Sequence, residues 1–185
     1  LLIPINIKAY ESSASCVVLM DMDSLNVIYG ENMHDVRSVA SISKIMTAIV
    51  AIESADVNST VTIGEEITKA YGSGIYIKQG EEITLESLLY GLMLRSGNDA
   101  ALAIANYVGG DIDNFVEMMN EKAVEIGMKN TTFNNPHGLD ENGGNLSTAY
   151  DMALLTSYAM QNENYRKIVS TKKYTLKTNM NYYSW

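Results

Sequence analysis

Ser41-Ile42-Ser43-Lys44 sets a hydroxyl and an amine three residues apart at the head of a predicted helix. Residues i and i+3 share a helical face, so Lys44 can reach back towards Ser41. The helix N-terminus adds unpaired N–H groups and partial positive charge around the serine. A serine hydroxyl is a useful nucleophile only beside a base. Lysine serves as that base when burial or a neighbouring cation brings its pKa from about 10.4 towards 7, a change of roughly 4 kcal/mol. The same spacing suits a serine cap followed by a solvated lysine, and on spacing alone both readings stand. Ser96-Gly97-Asn98 offers a second hydroxyl and an amide at a break between two helical runs. It either lines a cleft opposite Ser41 or is a capping turn.

Elements that would position these groups follow from periodicity. Cys16 to Met20 and Asn26 to Tyr29 are short apolar runs joined by Asp21-Met22-Asp23-Ser24, which predicts a β-hairpin. Ile42, Ile45, Met46, Ile49, Val50 and Ile52 recur at helical spacing and predict a helix over 41–54. Residues 56–82 are loop-rich, with a short extended piece at Val61-Thr62-Ile63. Thr84 is the expected cap of a helix reaching Leu94, and a small-residue helix follows from Asp99 to Val108, stopped by Gly109-Gly110. Asp111 or Asp113 opens the next helix, with Ile112, Phe115, Met119, Ala123 and Ile126 on one face and Gly127 at its end. A loop spans 134–145. Thr148 with Asp151 is a capping-box pattern for a helix through about Met160, and 174–177 reads as extended. A hairpin followed by a block of helices predicts an α+β chain. A lone hairpin is marginal in water, so further strands are expected beyond Trp185.

Composition narrows the function classes. The chain has 185 residues, 46% hydrophobic and 19% charged, which suits one globular domain or a lobe of one. Its net charge of −9, with no basic stripe, argues against nucleic acid as a partner. No run of about 18 apolar residues predicts a membrane span. Residues 1–13 begin with an apolar stretch, Leu1-Leu2-Ile3-Pro4-Ile5-Asn6-Ile7, read as either an N-terminal arm or the remnant of a secretory signal. Cys16 is the sole cysteine, so no internal disulfide can form, and its apolar neighbours predict a buried strand residue rather than a reactive thiol. His34, His137 and Cys16 lack zinc-site spacing, and no phosphate-binding glycine loop occurs, so neither metal nor cofactor is expected.

Ser-x-x-Lys, Ser-Asp-Asn and Lys-Thr-Gly together form the signature of class A β-lactamases and penicillin-binding proteins. The first occurs here, and the second as Ser96-Gly97-Asn98 about fifty residues on. With the runs 38–47 (SVASISKIMT), 88–103 (LLYGLMLRSGNDAALA), Asn135-Pro136-His137-Gly138-Leu139-Asp140 and Ser147-Thr148-Ala149-Tyr150-Asp151-Met152, the chain closely resembles the low-molecular-weight D-alanyl-D-alanine carboxypeptidases of bacteria from about Ala14 onward. The resemblance implies a β-lactamase/transpeptidase-like fold over 14–185. It implies that Ser41 is acylated by the penultimate D-alanine of a peptidoglycan pentapeptide, that Lys44 takes the serine proton, and that Ser96 relays a proton to the departing amine. Asn98 would bind substrate and Lys44, and the Gly72-Ser73-Gly74 loop would border the cleft, with Ser73 and Gly74 touching substrate. β-Lactams would inhibit through a slowly hydrolysed acyl-enzyme. The site of action would be extracytoplasmic, and similar enzymes often reach the membrane through a C-terminal region absent from this chain. His137 could by type be a general base, but similar enzymes work without a catalytic histidine, which favours a loop-ordering role for it.

Departures from the pattern keep two other readings in view. Lys-Thr-Gly is absent. Lys177-Thr178-Asn179 lacks the glycine and lies where similar proteins have a segment upstream of the true motif. In the family that motif supplies a carboxylate-binding lysine and an oxyanion-hole N–H, and loss of one such donor costs about 10²–10³ in rate. The 185 residues alone would therefore be inactive, and the protein is expected to continue. A class A β-lactamase would need a glutamate in a Glu-x-x-x-Asn loop, whereas Asp140-Glu141-Asn142 has the wrong spacing. An inactive binding module of the same fold, recognising peptidoglycan or a partner protein, would account for the missing third motif but not for Ser41 and Lys44.

Overall fold

Helix α1 (Lys44–Ser54) packs against every other helix, and its sequence explains why. Met46, Ala48, Ile49, Val50 and Ala51 are all buried, so apolar residues surround the helix instead of lining one stripe, as expected of a core helix. The structure is a computed structural model and describes residues 12–140 and 143–185. Around α1 stand α2 (Leu85–Arg95), α3 (Asn98–Gly109), α4 (Ile112–Ile126), α5 (Ala149–Ala159) and α6 (Glu163–Ser170). Ala100, Ala101, Ala103 and Ala105 of α3 are buried, and such small side chains let it approach α1, α2 and α4 closely.

The strands form antiparallel pairs at the margins of the helical block. They are β1 (Val17–Met20) with β2 (Val27–Glu31), β3 (Arg37–Ser38) with β6 (Leu146–Ser147), β4 (Thr60–Thr62) with β5 (Glu82–Thr84), and β7 (Thr175–Lys177) with β8 (Tyr182–Ser184). In the first pair Leu19 faces Tyr29, and the Asp21 carboxylate closes the turn by accepting both the Ser24 N–H and its hydroxyl. Antiparallel pairs beside clustered helices match the α+β expectation. No helix of the described residues is long and apolar enough to cross a membrane.

Most predicted caps close as their chemistry requires. Thr84 Oγ1 accepts the Ser87 N–H, Asp111 accepts the Asn114 N–H, and Gly127 ends α4 in the left-handed region. Thr148 Oγ1 accepts the Asp151 N–H, but the Asp151 carboxylate turns to Asn130 N and Thr131 Oγ1, so only half of the capping box forms. The helix expected from Ser41 begins as a 3-10 turn over Ser41–Ser43 and becomes α-helical at Lys44. Cys16 is half-buried and precedes β1, which corrects its reading as a buried strand residue. Helix α6 was not anticipated. Only Tyr165 and Ile168 bury along it, and its start is capped by Asn162. The arm read over 1–13 lies, apart from its last two residues, outside the described residues.

The loop around 134–145 is braced internally and then fastened to the start of α1. Asn145 Oδ1 accepts the N–H groups of Asn134 and Asn135, and Asn135 Oδ1 accepts those of His137 and Gly138. The carbonyl of Pro136 takes the Thr47 hydroxyl at 2.6 Å. Gly138 has φ +86°, and a Cβ there would stand 2.0 Å from the Ala40 carbonyl oxygen and 2.7 Å from Ser43 Oγ. Both the backbone conformation and the lack of space call for glycine at this contact. Gly138→Ala should lower stability in urea unfolding by about 2 kcal/mol or more, through left-handed strain and overpacking together. A midpoint equal to that of the wild type would contradict this seam.

Candidate active site

The 3-10 turn that leads into α1 leaves Ser41 exposed and buries the next two polar side chains, Ser43 and Lys44. Ser43 Oγ donates to the Ala40 carbonyl at 2.8 Å, which holds the turn shut. Lys44 is 2% exposed, and its Nζ lies 3.2 Å from Ser41 Oγ, 2.8 Å from Asn98 Oδ1 and 2.5 Å from the His137 carbonyl oxygen. Every one of these acceptors is neutral. Burial therefore decides the titration, and it pushes the Lys44 pKa down to about 8. A neutral amine at that position has two N–H groups for Asn98 and His137 and a lone pair for the Ser41 hydroxyl. Such an arrangement can take the serine proton as the oxygen attacks.

Asn98 opens α3 and is held at three atoms. Its Oδ1 faces Lys44, its Nδ2 donates to the Tyr71 carbonyl at 2.6 Å, and its backbone N–H donates to the Ser73 carbonyl at 2.8 Å. The amide can then point only one way, oxygen towards the lysine. Ser96 ends α2 in the left-handed region at φ 54°, ψ 36°. Its Oγ is the one buried side-chain oxygen or nitrogen without a hydrogen-bond partner among the described residues. A left-handed serine and an unpaired buried hydroxyl both carry a cost, which makes Ser96 a candidate functional position.

Ser73 and Gly74 lie in a segment that borders Asn98, and the position of this segment depends on a residue absent from the candidates above. The Asp99 carboxylate accepts the N–H groups of Ile75 at 3.0 Å, Tyr76 at 2.6 Å, Ile77 at 3.3 Å and Ala100 at 2.9 Å. Asp99 sits in the first turn of α3, where the helix dipole favours a negative charge. Its sequence signal was no more than that of any acidic helix start. The main-chain carbonyls of Pro136 and His137 were equally invisible, since every residue has one.

The other singled-out residues fall elsewhere. His137 meets Lys44 through its carbonyl, while its ring Nδ1 accepts the Leu139 N–H at 3.2 Å within the loop. His34 packs its ring on Tyr150, 4.9 Å between centroids. Lys177-Thr178-Asn179 spans the end of β7 and the hairpin tip, where Thr178 donates to the buried Glu81 carboxylate. Of Asp140-Glu141-Asn142, the last two are outside the described residues, and Asp140 accepts the Ser38 hydroxyl. Among the described residues no group of three or more His, Cys, Asp or Glu could hold a metal ion.

Comparison with known proteins follows the same lines. The family model described as D-alanyl-D-alanine carboxypeptidase, peptidase family S11, matches residues 5–185. The D-alanyl-D-alanine carboxypeptidase DacF of Bacillus subtilis is 36% identical over 177 residues, covering 93% of this chain and 45% of its own length. DacB2 of Mycobacterium tuberculosis is 36% identical over 161 residues, covering 86% of this chain and 55% of its own. The chain thus spans about half the length of the curated relatives it matches. Among solved structures, a D-alanyl-D-alanine carboxypeptidase from Mycobacterium tuberculosis superposes with TM-score 0.90 at 32% identity, over 95% of this chain and 67% of that one. Penicillin binding protein 6B from Escherichia coli does so with TM-score 0.86 at 32% identity, over 98% and 60%. The fold is therefore that of the transpeptidase-like penicillin-binding proteins, and the chain belongs to the D-alanyl-D-alanine carboxypeptidase family S11.

Proposed function

We propose that the protein is a serine carboxypeptidase that removes the terminal D-alanine from peptidoglycan pentapeptides outside the cytoplasmic membrane, and that β-lactams inhibit it. One observation carries this reading: an exposed serine hydroxyl 3.2 Å from a buried lysine amine whose pKa is about 8. Ser41 Oγ attacks the carbonyl carbon of the penultimate D-alanine while Lys44 Nζ takes its proton. A C–O bond forms, the amide C–N bond breaks, and the amine of the terminal D-alanine leaves with a proton relayed through Ser96. Water then cleaves the ester, giving the shortened peptide and restoring Ser41. Asn98, Ser73 and Gly74 bind the peptide. The unpaired Ser96 hydroxyl favours the relay role, because its proton and both of its lone pairs are uncommitted within the protein.

Labelling the full-length protein with a fluorescent penicillin tests the reading. A stable label on Ser41 is expected. Rapid release would favour a lactamase, and no label a binding module. Lys44→Ala should abolish labelling while the protein stays folded, and unchanged acylation would remove Lys44 from the chemistry. The acylation rate should climb with pH and level off above about 8, where the amine is free. Lys44 also links pH to stability. Its pKa is lowered in the fold from 10.5 to about 8, so between those values the folded chain binds fewer protons than the unfolded one. Stability contributed through this residue therefore rises with pH across that window. Comparison with Lys44→Met isolates it: the variant should lack that part of the slope, and equal slopes would mean that Lys44 is not depressed.

A further inference from the structure

Two buried carboxylates, Asp99 and Glu81, divide between them the four consecutive main-chain N–H groups of residues 75–78, in the rim segment that borders Asn98. Asp99 takes those of Ile75, Tyr76 and Ile77, and Glu81 Oε2 takes that of Lys78 at 3.0 Å. Convergence on Asp99 goes with a left-handed Tyr76, φ 62°, whose side chain is 75% exposed. A bulky residue with positive φ is strained and persists only where its surroundings hold it.

Glu81 is 0% exposed, and among the described residues no cation pairs with it. Its remaining donors all come from the β7–β8 hairpin, about a hundred residues away in sequence. Thr178 Oγ1 donates to Oε1, Asn181 Nδ2 donates to Oε1 at 3.2 Å, and Tyr183 Oη donates to Oε2 at 2.9 Å. Burial alone would raise the carboxyl's pKa, but these donors and the Lys78 N–H outweigh it and hold the group below the usual range, so it is charged. Asn179 adds a second tie by accepting the Glu82 N–H at 2.9 Å. The Lys-Thr-Asn segment that fails as a catalytic motif is thus part of a clamp on the base of the rim.

At its other end the rim meets the site. The carbonyls of Tyr71 and Ser73 hold both nitrogens of Asn98, whose Oδ1 faces Lys44. We infer that Glu81 is a positioning residue, which ties the β7–β8 tip to residue 78 and so holds the 71–78 rim where Tyr71 and Ser73 keep Asn98 against Lys44. Its consequence for acylation rests on the proposed function, whereas the mechanical tie does not.

Thr178→Val and Tyr183→Phe each delete one hydroxyl donor while preserving bulk, and Thr178→Ser keeps the donor. In the full-length protein, amide exchange at residues 75–78 should quicken about 10-fold or more in Thr178→Val, with α2 unchanged and Thr178→Ser like the wild type. Fluorescent-penicillin acylation per folded molecule, measured well below the melting midpoint, should slow about 10-fold in Thr178→Val and stay within about 2-fold in Thr178→Ser. A purely structural role would lower the midpoint and leave that rate alone. Unchanged 75–78 exchange in a folded variant overturns the tie. Faster exchange with unchanged acylation overturns the positioning role. Should Thr178→Val fail to fold, Tyr183→Phe decides on the same two readouts. A wild type that takes no label sinks the acyl-enzyme reading and the positioning role with it, while exchange still decides the tie.

Discussion

A lysine amine buried among neutral acceptors is the constraint around which the rest is arranged. Taking an ammonium group out of water is costly unless a carboxylate compensates, and without one the group sheds its proton more readily. The same molecule holds the contrasting case. Lys122 meets Glu53 at 2.8 Å and Glu125 at 2.6 Å, and although burial pulls its pKa down, the two carboxylates drive it above the ordinary lysine value. Lys44, facing an amide oxygen, a peptide carbonyl and a hydroxyl, goes the other way. The difference lies in the partners, since both lysines feel burial. The low-pKa amine proposed as base thus depends as much on the anion withheld from it as on the acceptors supplied.

Those acceptors come from three stretches of chain that are far apart in sequence, so the site exists only when the helices are packed. Helix α1 supplies the rigid axis, being apolar on all sides and enclosed by the other helices. Its first turn meets the braced loop at Gly138, and α3 brings Asn98 in from the other side. Ser41 remains at the open end of this arrangement while Lys44 lies behind it. An attacking oxygen must reach substrate and its base must stay out of water, and a 3-10 turn on a core helix satisfies both demands.

Much of this was legible in the residues. Apolar spacing located α1 and α4, whose buried apolar side chains recur at helical intervals, while α2 and α5 were legible from their caps. Thr84, Asp111, Gly127 and Thr148 marked their ends through capping chemistry that acts over a few residues. Helix α6 escaped because only two of its residues face the core. Ser41, Lys44, Ser96 and Asn98 stood out by type and spacing. Asp99, Glu81 and Gly138 did not, because their work is to receive or approach the backbone of distant segments, and a sequence records no sign of which peptide groups will turn towards them. Cys16 misled for a related reason: apolar neighbours imply a strand, but the ladder begins one residue later.

The loop around 134–145 reaches α1 through the peptide oxygens of residues 136 and 137. Contacts of that kind are indifferent to which amino acid stands at the position, provided the backbone path is kept. They are unforgiving of its length, since one residue spans about 3.3–3.6 Å of chain and a single insertion or deletion would carry the oxygen beyond reach of the amine. Positions 136 and 137 are therefore free to exchange letters, while Gly138 and the count between the two bracing asparagines, 135 and 145, are held.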